Sequence, residues 1–378
     1  MTLLLELNDC DLKLHDGSRV VYSEPAIAIV DKTEVTFGRA AQRSMRLKPQ
    51  QTNQQYLSRL NADPLPVSGA GAKNHADLVY LHLKAIADLI TADVVVAVPG
   101  TLTNDQLGVF LGIAQESGIS ISGFVDAAVL WSNSLDLPQA SCHLDLHQTG
   151  ACLTSLATGT ETQRSRAETV SGCGLMSIVD GWVNLVADRF VQETRFDPLH
   201  SAATEQQVYD QVDRWARTPG SNDLSVQIDH QGQTRVVEVS SNALLAKLAQ
   251  RLNHLVDLIP SGSTVVLTPR GGTLPGLARH LELAGANVQI LTDEALTVAF
   301  NSHRNLLVDA SNLRVIKALP HTGSIRPAAA AVVPATHVLH NSRAYPLATN
   351  PFGLPTEGAA GEVITHGGST YQLIVVET

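Results

Sequence analysis

The sequence predicts an α/β protein built from two related halves that close around a cleft, with a small β module at the C-terminal end. Three observations predict it. A strand–turn–helix–strand–helix signature occurs twice, as DVVVAVPGTLTNDQLGVFLGIAQESGISISGFVDAAVLW from Asp93 and as VVLTPRGGTLPGLARHLELAGANVQILTDEALTVAF from Val265. Each copy is preceded by a matched hairpin-like run, LLLELNDCDLKL from Leu3 and CHLDLHQTGACLTSL from Cys142. After Arg326 the pattern changes to short strands between Asn-Pro and Gly-rich turns.

In chain order, residues 1–138 form the first half. Leu3–Leu7 and Asp11–Leu14 alternate with period two and turn through Asn8-Asp9-Cys10, which reads as a hairpin. Strands follow around Ala26–Val30 and Glu34–Phe37. Asp77–Thr91 has helical spacing, Val94–Val98 is a buried strand closed by Pro99-Gly100, and Thr103-Asn104-Asp105 can cap the next helix. Residues 139–325 form the second half. It carries an insertion: helices over Ser177–Thr194 and Thr204–Ala216, a hairpin of Leu224–Ile228 with Arg235–Val239, and a helix over Ser241–Leu258. Residues 326–378 comprise a linker, RPAAAAVVP, and strands around Thr336–Leu339, Arg343–Leu347, Glu362–Thr365 and Thr370–Val376.

Composition narrows the function classes. At 378 residues, two cores plus a small module are expected rather than one. With 44% hydrophobic and 16% charged residues the chain buries a substantial core. A formal charge of −10 argues against nucleic acid or an anionic membrane as partner. The N-terminus has no basic segment ahead of its apolar residues, and no apolar run approaches the roughly 20 residues that span a bilayer. A cytoplasmic protein without membrane insertion is expected. Cys10, Cys142, Cys152 and Cys173 show no metal-ligand spacing and read as buried reduced thiols; Cys142 and Cys152 fall on strands expected to pair.

Several stretches in fixed order resemble the nucleotide-binding domain of Hsp70 proteins, within the actin/Hsp70 ATPase superfamily. Pro25-Ala26-Ile27-Ala28-Ile29, Phe37-Gly38-Arg39-Ala40-Ala41 and Lys48-Pro49-Gln50-Gln51-Thr52 are similar to the family's P-S-x-V-A, V-G-x-x-A and N-P-x-N-T. Val98-Pro99-Gly100 with Gln106, Ala114 and Gly118 is similar to its V-P-A helix entry. Phe124–Leu130 resembles E-P-T-A-A-A-L, and Thr292–Ala299 resembles P-D-E-A-V-A-x-G. The resemblance covers about residues 2–320. It implies a duplicated two-lobed fold and a cleft for ATP or ADP with Mg.

The positions that carry nucleotide chemistry in that family are altered. Its D-L-G-T-T loop corresponds to Glu6-Leu7-Asn8-Asp9-Cys10, and its D-L-G-G-G-T loop to Asp145-Leu146-His147-Gln148-Thr149-Gly150. The acids persist as Glu6 and Asp145, but the glycines whose backbone N–H groups approach phosphate oxygens are replaced. Ser58 or Arg59 stands where a catalytic Lys is expected, Phe124 where the water-positioning Glu is expected, and Ala299 where a hinge Gly is expected. The adenosine loop reads Leu267-Thr268-Pro269-Arg270-Gly271-Gly272-Thr273, its glycines displaced by two positions and Pro269-Arg270 where base and ribose should rest. The cleft equivalents are therefore Glu6, Asn8, Asp9, Asp145, His147, Gln148, Gly150, Arg270, Gly271, Gly272 and Thr273, with no catalytic residue and no metal ligand assigned. Phosphoryl transfer depends on positioning and charge neutralisation, so the expected function is a chaperone-related pseudo-ATPase that binds a protein partner as scaffold or regulator. Two alternatives stay open: a nucleotide switch or ATPase using non-standard phosphate ligands, and an actin-like assembly protein.

Other features have plainer readings. His143, Asp145 and His147 alternate along one strand at steps of roughly 7 Å; a divalent metal could use them, but a polar strand end facing a hydrated cleft is the simpler expectation. Gly271-Gly272-Thr273 ahead of a helix reads as turn geometry before anion binding, and so does Ser171-Gly172-Cys173-Gly174. Asp126 and Asp293, in equivalent positions of the two copies, read as helix caps.

Overall fold

The apolar run at the N-terminus forms a central strand. In the computed structural model, which describes residues 2–138, 140–218, 220, 222–309, 313–321, 335–340, 343–355, 363–366 and 369–374, Leu3–Glu6 is buried along its whole length. Val94–Val98 pairs parallel to it on one side and Leu12–His15 antiparallel on the other. Val94–Val98 is itself buried at every position, as a continuous Val/Ala run requires when both faces of a sheet are covered.

The first sheet runs Ile121–Asp126, Val94–Val98, Leu3–Glu6, Leu12–His15, Val20–Glu24, with Val315–Ile316 added beside Ile121–Asp126. The second runs Asn287–Ile290, Thr264–Leu267, Ala140–Leu146, Gly150–Thr158, Glu161–Ser171, with Ala318–Pro320 at its far edge. The two sheets share one strand order and one pattern of parallel and antiparallel neighbours, so the repeat read in the sequence is a repeat of topology. The short stretch 315–320 contributes a strand to each sheet.

Helix boundaries follow local chemistry. His75–Ile86 begins at a capping box between Asn74 and Asp77, and Asn104–Glu116 at one between Thr103 and Gln106. Ala127–Ser132 and Glu294–Leu307, the last helices of the two copies, share an apolar core with both sheets: Leu4, Val95, Trp131, Val266, Leu296 and Phe300 are all buried in it. The insertion consists of helices Leu175–Thr194, Ala202–Ala216 and Ser241–Asp257 and the hairpin of Leu224–His230 with Gln233–Val239. Trp182 is buried there, edge-on to Trp215 with ring centroids 5.0 Å apart.

Three features depart from the sequence reading. Val20–Glu24 extends the first sheet although it lacks clear alternation, because Leu12–His15 offers it an unpaired edge. Asp126 caps its helix, accepting from the Val129 N–H at 3.2 Å, but Asp293 makes no cap bond and its carboxylate lies 3.6 Å from Lys13 Nζ instead. Cys142 and Cys152 sit on paired strands yet face other partners, Ser155 and Asp145; all four cysteines are buried and free.

The chain divides into two compact units, Met1–Ile325 and Arg326–Thr378. In the second, strands Arg343–Pro346, His337–His340, Ser369–Ile374 and Val363–His366 form one antiparallel sheet around Val338, Leu347, Leu354, Tyr371 and Leu373. The RPAAAAVVP run lies outside the described residues. Among the described residues no helix is long and apolar enough to cross a membrane.

Candidate functional site

Two hairpin turns, one from each half, meet at a buried junction. In the first, Asn8 Oδ1 accepts the Cys10 N–H at 2.8 Å, a side-chain closure that substitutes for a glycine turn. In the second, the His147 N–H donates to the Gly150 carbonyl at 2.9 Å. Gly150 is required by packing: a Cβ there would stand 2.8 Å from the Val170 carbonyl. Helix Leu175–Thr194 starts against this turn, its Leu175 and Met176 N–H groups donating to the His147 and Gln148 carbonyls at 2.9 and 3.0 Å. That helix N-terminus is thus already occupied by protein oxygens.

Arg270 lies between the two retained acids. Its Nη1 donates to both Asp145 oxygens, at 2.9 and 2.8 Å, and its Nη2 donates to Glu6 Oε1 at 2.8 Å. Thr268 Oγ1 donates to Asp145 Oδ1 at 2.7 Å, Asn8 Nδ2 to Asp145 Oδ2 at 2.9 Å, and Trp131 Nε1 to Glu6 Oε1 at 3.0 Å. The Arg270 side chain is 13% exposed, and its partners less. Burial is the largest influence on Asp145 and opposes its charge, yet Arg270, His147 and His143 together outweigh it and hold the carboxyl well below the usual range. Burial likewise opposes the Arg270 cation, and Asp145 and Glu6 together raise it. Pro269 opens the five-residue helix Pro269–Thr273 directly after strand Thr264–Leu267, which sets the Arg270 side chain at the strand end facing the acids.

Asp9 makes the second contact between the two hairpins. Its Oδ1 accepts the Gln148 N–H at 2.8 Å and lies 3.0 Å from His147 Nδ1, while its carbonyl accepts from Gln148 Nε2 at 3.2 Å. Burial alone would lower the His147 pKa; the Asp9 carboxylate reverses this, and the net direction is up. Asp9 Oδ2 and His147 Nε2 are buried without a hydrogen-bond partner among the described residues.

Further polar contacts join the halves. Arg46 pairs with Asp180 and, at 3.4 Å, with Glu205; Gln42 Nε2 donates to the Tyr209 hydroxyl at 3.1 Å. Arg164 pairs with Asp126 at 2.6 Å. A cavity of about 160 Å³ lies beside Asp9 and His147, and another of about 220 Å³ is lined by Cys10, Lys13, Arg217 and Arg270.

The structure therefore brings together Glu6, Asn8, Asp145 and Arg270 in one cluster and Asp9, His147 and Gln148 in another. Gly271, Gly272 and Thr273 do not join them. Gly271 packs on Leu267 and Leu277, Gly272 leaves room for the Ile290 side chain, and Thr273 Oγ1 donates to the Pro269 carbonyl within the same short helix. The strand bearing His143 and Asp145 does not face a hydrated cleft: both are buried, and burial takes the His143 pKa down to about 4. Among the described residues no group of three or more His, Cys, Asp or Glu is placed to hold a metal ion. The contributions of Thr268, Trp131 and Arg164 are absent from the sequence reading. Thr268 was the most accessible of them, since it sits two residues before Arg270 at the end of a strand beside Asp145.

No family model and no curated protein matches this chain.

Proposed function

We propose that this chain is a degenerate relative of the Hsp70 nucleotide-binding domain that has given up ATP hydrolysis and acts in the cytoplasm as a protein-binding scaffold or regulator. In this reading the duplicated sheets are the two lobes of an actin/Hsp70-like fold. The observation that carries it is Arg270 held between Glu6 and Asp145. These two acids correspond to the pair that would hold a hydrated cation for ATP, and a guanidinium of the same chain takes that place. Asp9, accepting the Gln148 N–H, puts a carboxylate where the second hairpin would meet a phosphate oxygen.

The energetics favour a cleft occupied by the protein's own groups. Uncovering a buried carboxylate from its guanidinium costs on the order of 3–5 kcal/mol. A nucleotide that had to displace Arg270 would lose about a hundredfold to several thousandfold in affinity. The experiment is calorimetric titration with ATP and ADP in excess Mg²⁺. The expected result is no binding up to millimolar nucleotide. Micromolar binding abolished by Glu6→Ala or Asp145→Ala would replace this reading with that of a nucleotide switch.

A further inference from the structure

We propose that the cavity beside Asp9 and His147 binds a small organic cation, a primary ammonium on an apolar body. The cavity is lined by the apolar residues Leu7, Leu57, Pro99 and Leu102 and by polar ones, with Asp9 and His147 as its ionisable groups beside Ser58, Thr101 and Gln106. Its volume of about 160 Å³ is close to the engineered cavity of about 150 Å³ that accommodates benzene. The body that fits is therefore a single six-membered ring or its equivalent. A concave apolar surface with a few convergent polar groups is the usual form of a small-molecule site.

Asp9 selects the head group. Asp9 is 1% exposed, and its Oδ2 is buried with no hydrogen-bond partner among the described residues. A carboxylate oxygen in that position calls for a donor. Glu6 and Asp145 share Arg270, and Asp126 has Arg164, whereas the charged-group contact recorded for Asp9 is the imidazole of His147. Of the residues lining the cavity, Asp9 and His147 are the acid and the base, and Asp9 Oδ2 is the acceptor left without a donor. An anion is repelled there and a neutral alcohol gains only a hydrogen bond. An ammonium gains both the bond to Oδ2 and the field, and a buried charge is stable when paired and hydrogen-bonded. The inference stands on this geometry and does not depend on the loss of nucleotide binding.

The test titrates the full chain with cyclohexylamine, cyclohexanol and cyclohexanecarboxylate, read by calorimetry and thermal shift. Saturable binding of the amine is expected, about tenfold or more tighter than the alcohol, with no binding of the carboxylate. Asp9→Asn, whose amide oxygen can still accept the Gln148 N–H, should weaken the amine by about tenfold or more. Thr101→Phe, which fills the cavity without touching the Asp9–His147 contact, should abolish binding and guards against a folding defect in the first variant. Equal affinity for amine and alcohol, binding of the carboxylate, no heat with the amine, or amine binding unchanged in both variants would each overturn the proposal. The ATP titration is read separately and its outcome moves none of these.

Discussion

Arg164 Nη1 lies 2.6 Å from Asp126 Oδ2 and also donates to the Gly100 carbonyl at 2.9 Å, so one guanidinium of the second half fastens both a helix cap and a strand-end turn of the first. Gly100 makes this approach possible, because a Cβ there would crowd the guanidinium, the Ala167 methyl and the Asp126 carboxylate. Asp126 is fully buried, and burial pushes its carboxyl above the usual range even with Arg164 opposing. Arg164→Met should therefore destabilise by about 3–5 kcal/mol, since it strands a buried carboxylate. Adding Asp126→Asn should recover a large part of that loss. Denaturant unfolding of the single and double variants checks this, and a double variant no more stable than Arg164→Met would refute it.

Arg270→Ala should have a comparable cost, about 3–5 kcal/mol, because it leaves both Glu6 and Asp145 buried without their cation. Arg270→Lys should not restore stability fully, since one ammonium cannot serve two carboxylates in the planar geometry that the guanidinium nitrogens provide. Thermal unfolding of the two variants should rank wild type above Lys above Ala.

Acid should destabilise the protein through two buried histidines. His82 lies between the Tyr22 and Tyr56 hydroxyls at 2.7 and 2.8 Å and stacks on Phe37 with ring centroids 4.7 Å apart. Burial takes its pKa down to about 4, as it does for His143. A histidine whose folded pKa is depressed is protonated first in the unfolded chain. Its contribution is whole above the unfolded pKa of about 6.5 and is lost as pH falls from there toward 4, by roughly 3 kcal/mol per residue. Asp145 is held low by Arg270, so its contribution persists above the unfolded carboxyl pKa and does not enter this window. His147 has the opposite sign, its raised pKa adding stability below about 6.5 that is lost as pH rises. Unfolding free energy measured from pH 7 to 4.5 should fall, and His82→Gln should flatten the curve.

Much of the scaffold was legible in the sequence because it rests on local rules. The Val94–Val98 run and the Thr103 cap each announce an element, and the repeated signature announces the doubled sheet order, although Gly272 and Thr273 end a short helix, Pro269–Thr273, where a turn was expected. The cleft was legible as a set of residue types and not as a set of partners. Glu6 and Arg270 are 264 positions apart in sequence, and no periodicity links them. Gly271 and Gly272 stood out as the equivalent of an adenosine loop and as turn geometry, but the space they free is taken by Leu277 and Ile290, contacts fixed by tertiary packing. Asp293 fails as a cap for a similar reason. Its backbone is already helical, and Lys13 draws the carboxylate away.

Gly174 provides the sharpest test of how tightly the second hairpin is seated. It precedes helix Leu175–Thr194, and a Cβ there would overlap the backbone of Gln148, Thr149 and Gly150. Neither backbone can yield without breaking the bonds from Leu175 and Met176 to the hairpin carbonyls. Gly174→Ala should cost about 3 kcal/mol, the upper end of ordinary overpacking. The displaced turn should also loosen the Asp9 contact with Gln148, because the same two residues accept from the helix and donate to Asp9. Hydrogen exchange should then speed up at the Gln148 amide. Gly172→Ala is the control, since Gly172 has no neighbour within 4 Å of the added methyl and only its φ of +81° opposes the change. It should leave Gln148 exchange unchanged and cost about 1 kcal/mol. Equal exchange at Gln148 in the two variants would mean that the helix start does not seat the hairpin and that its contacts with Asp9 and Asn8 do.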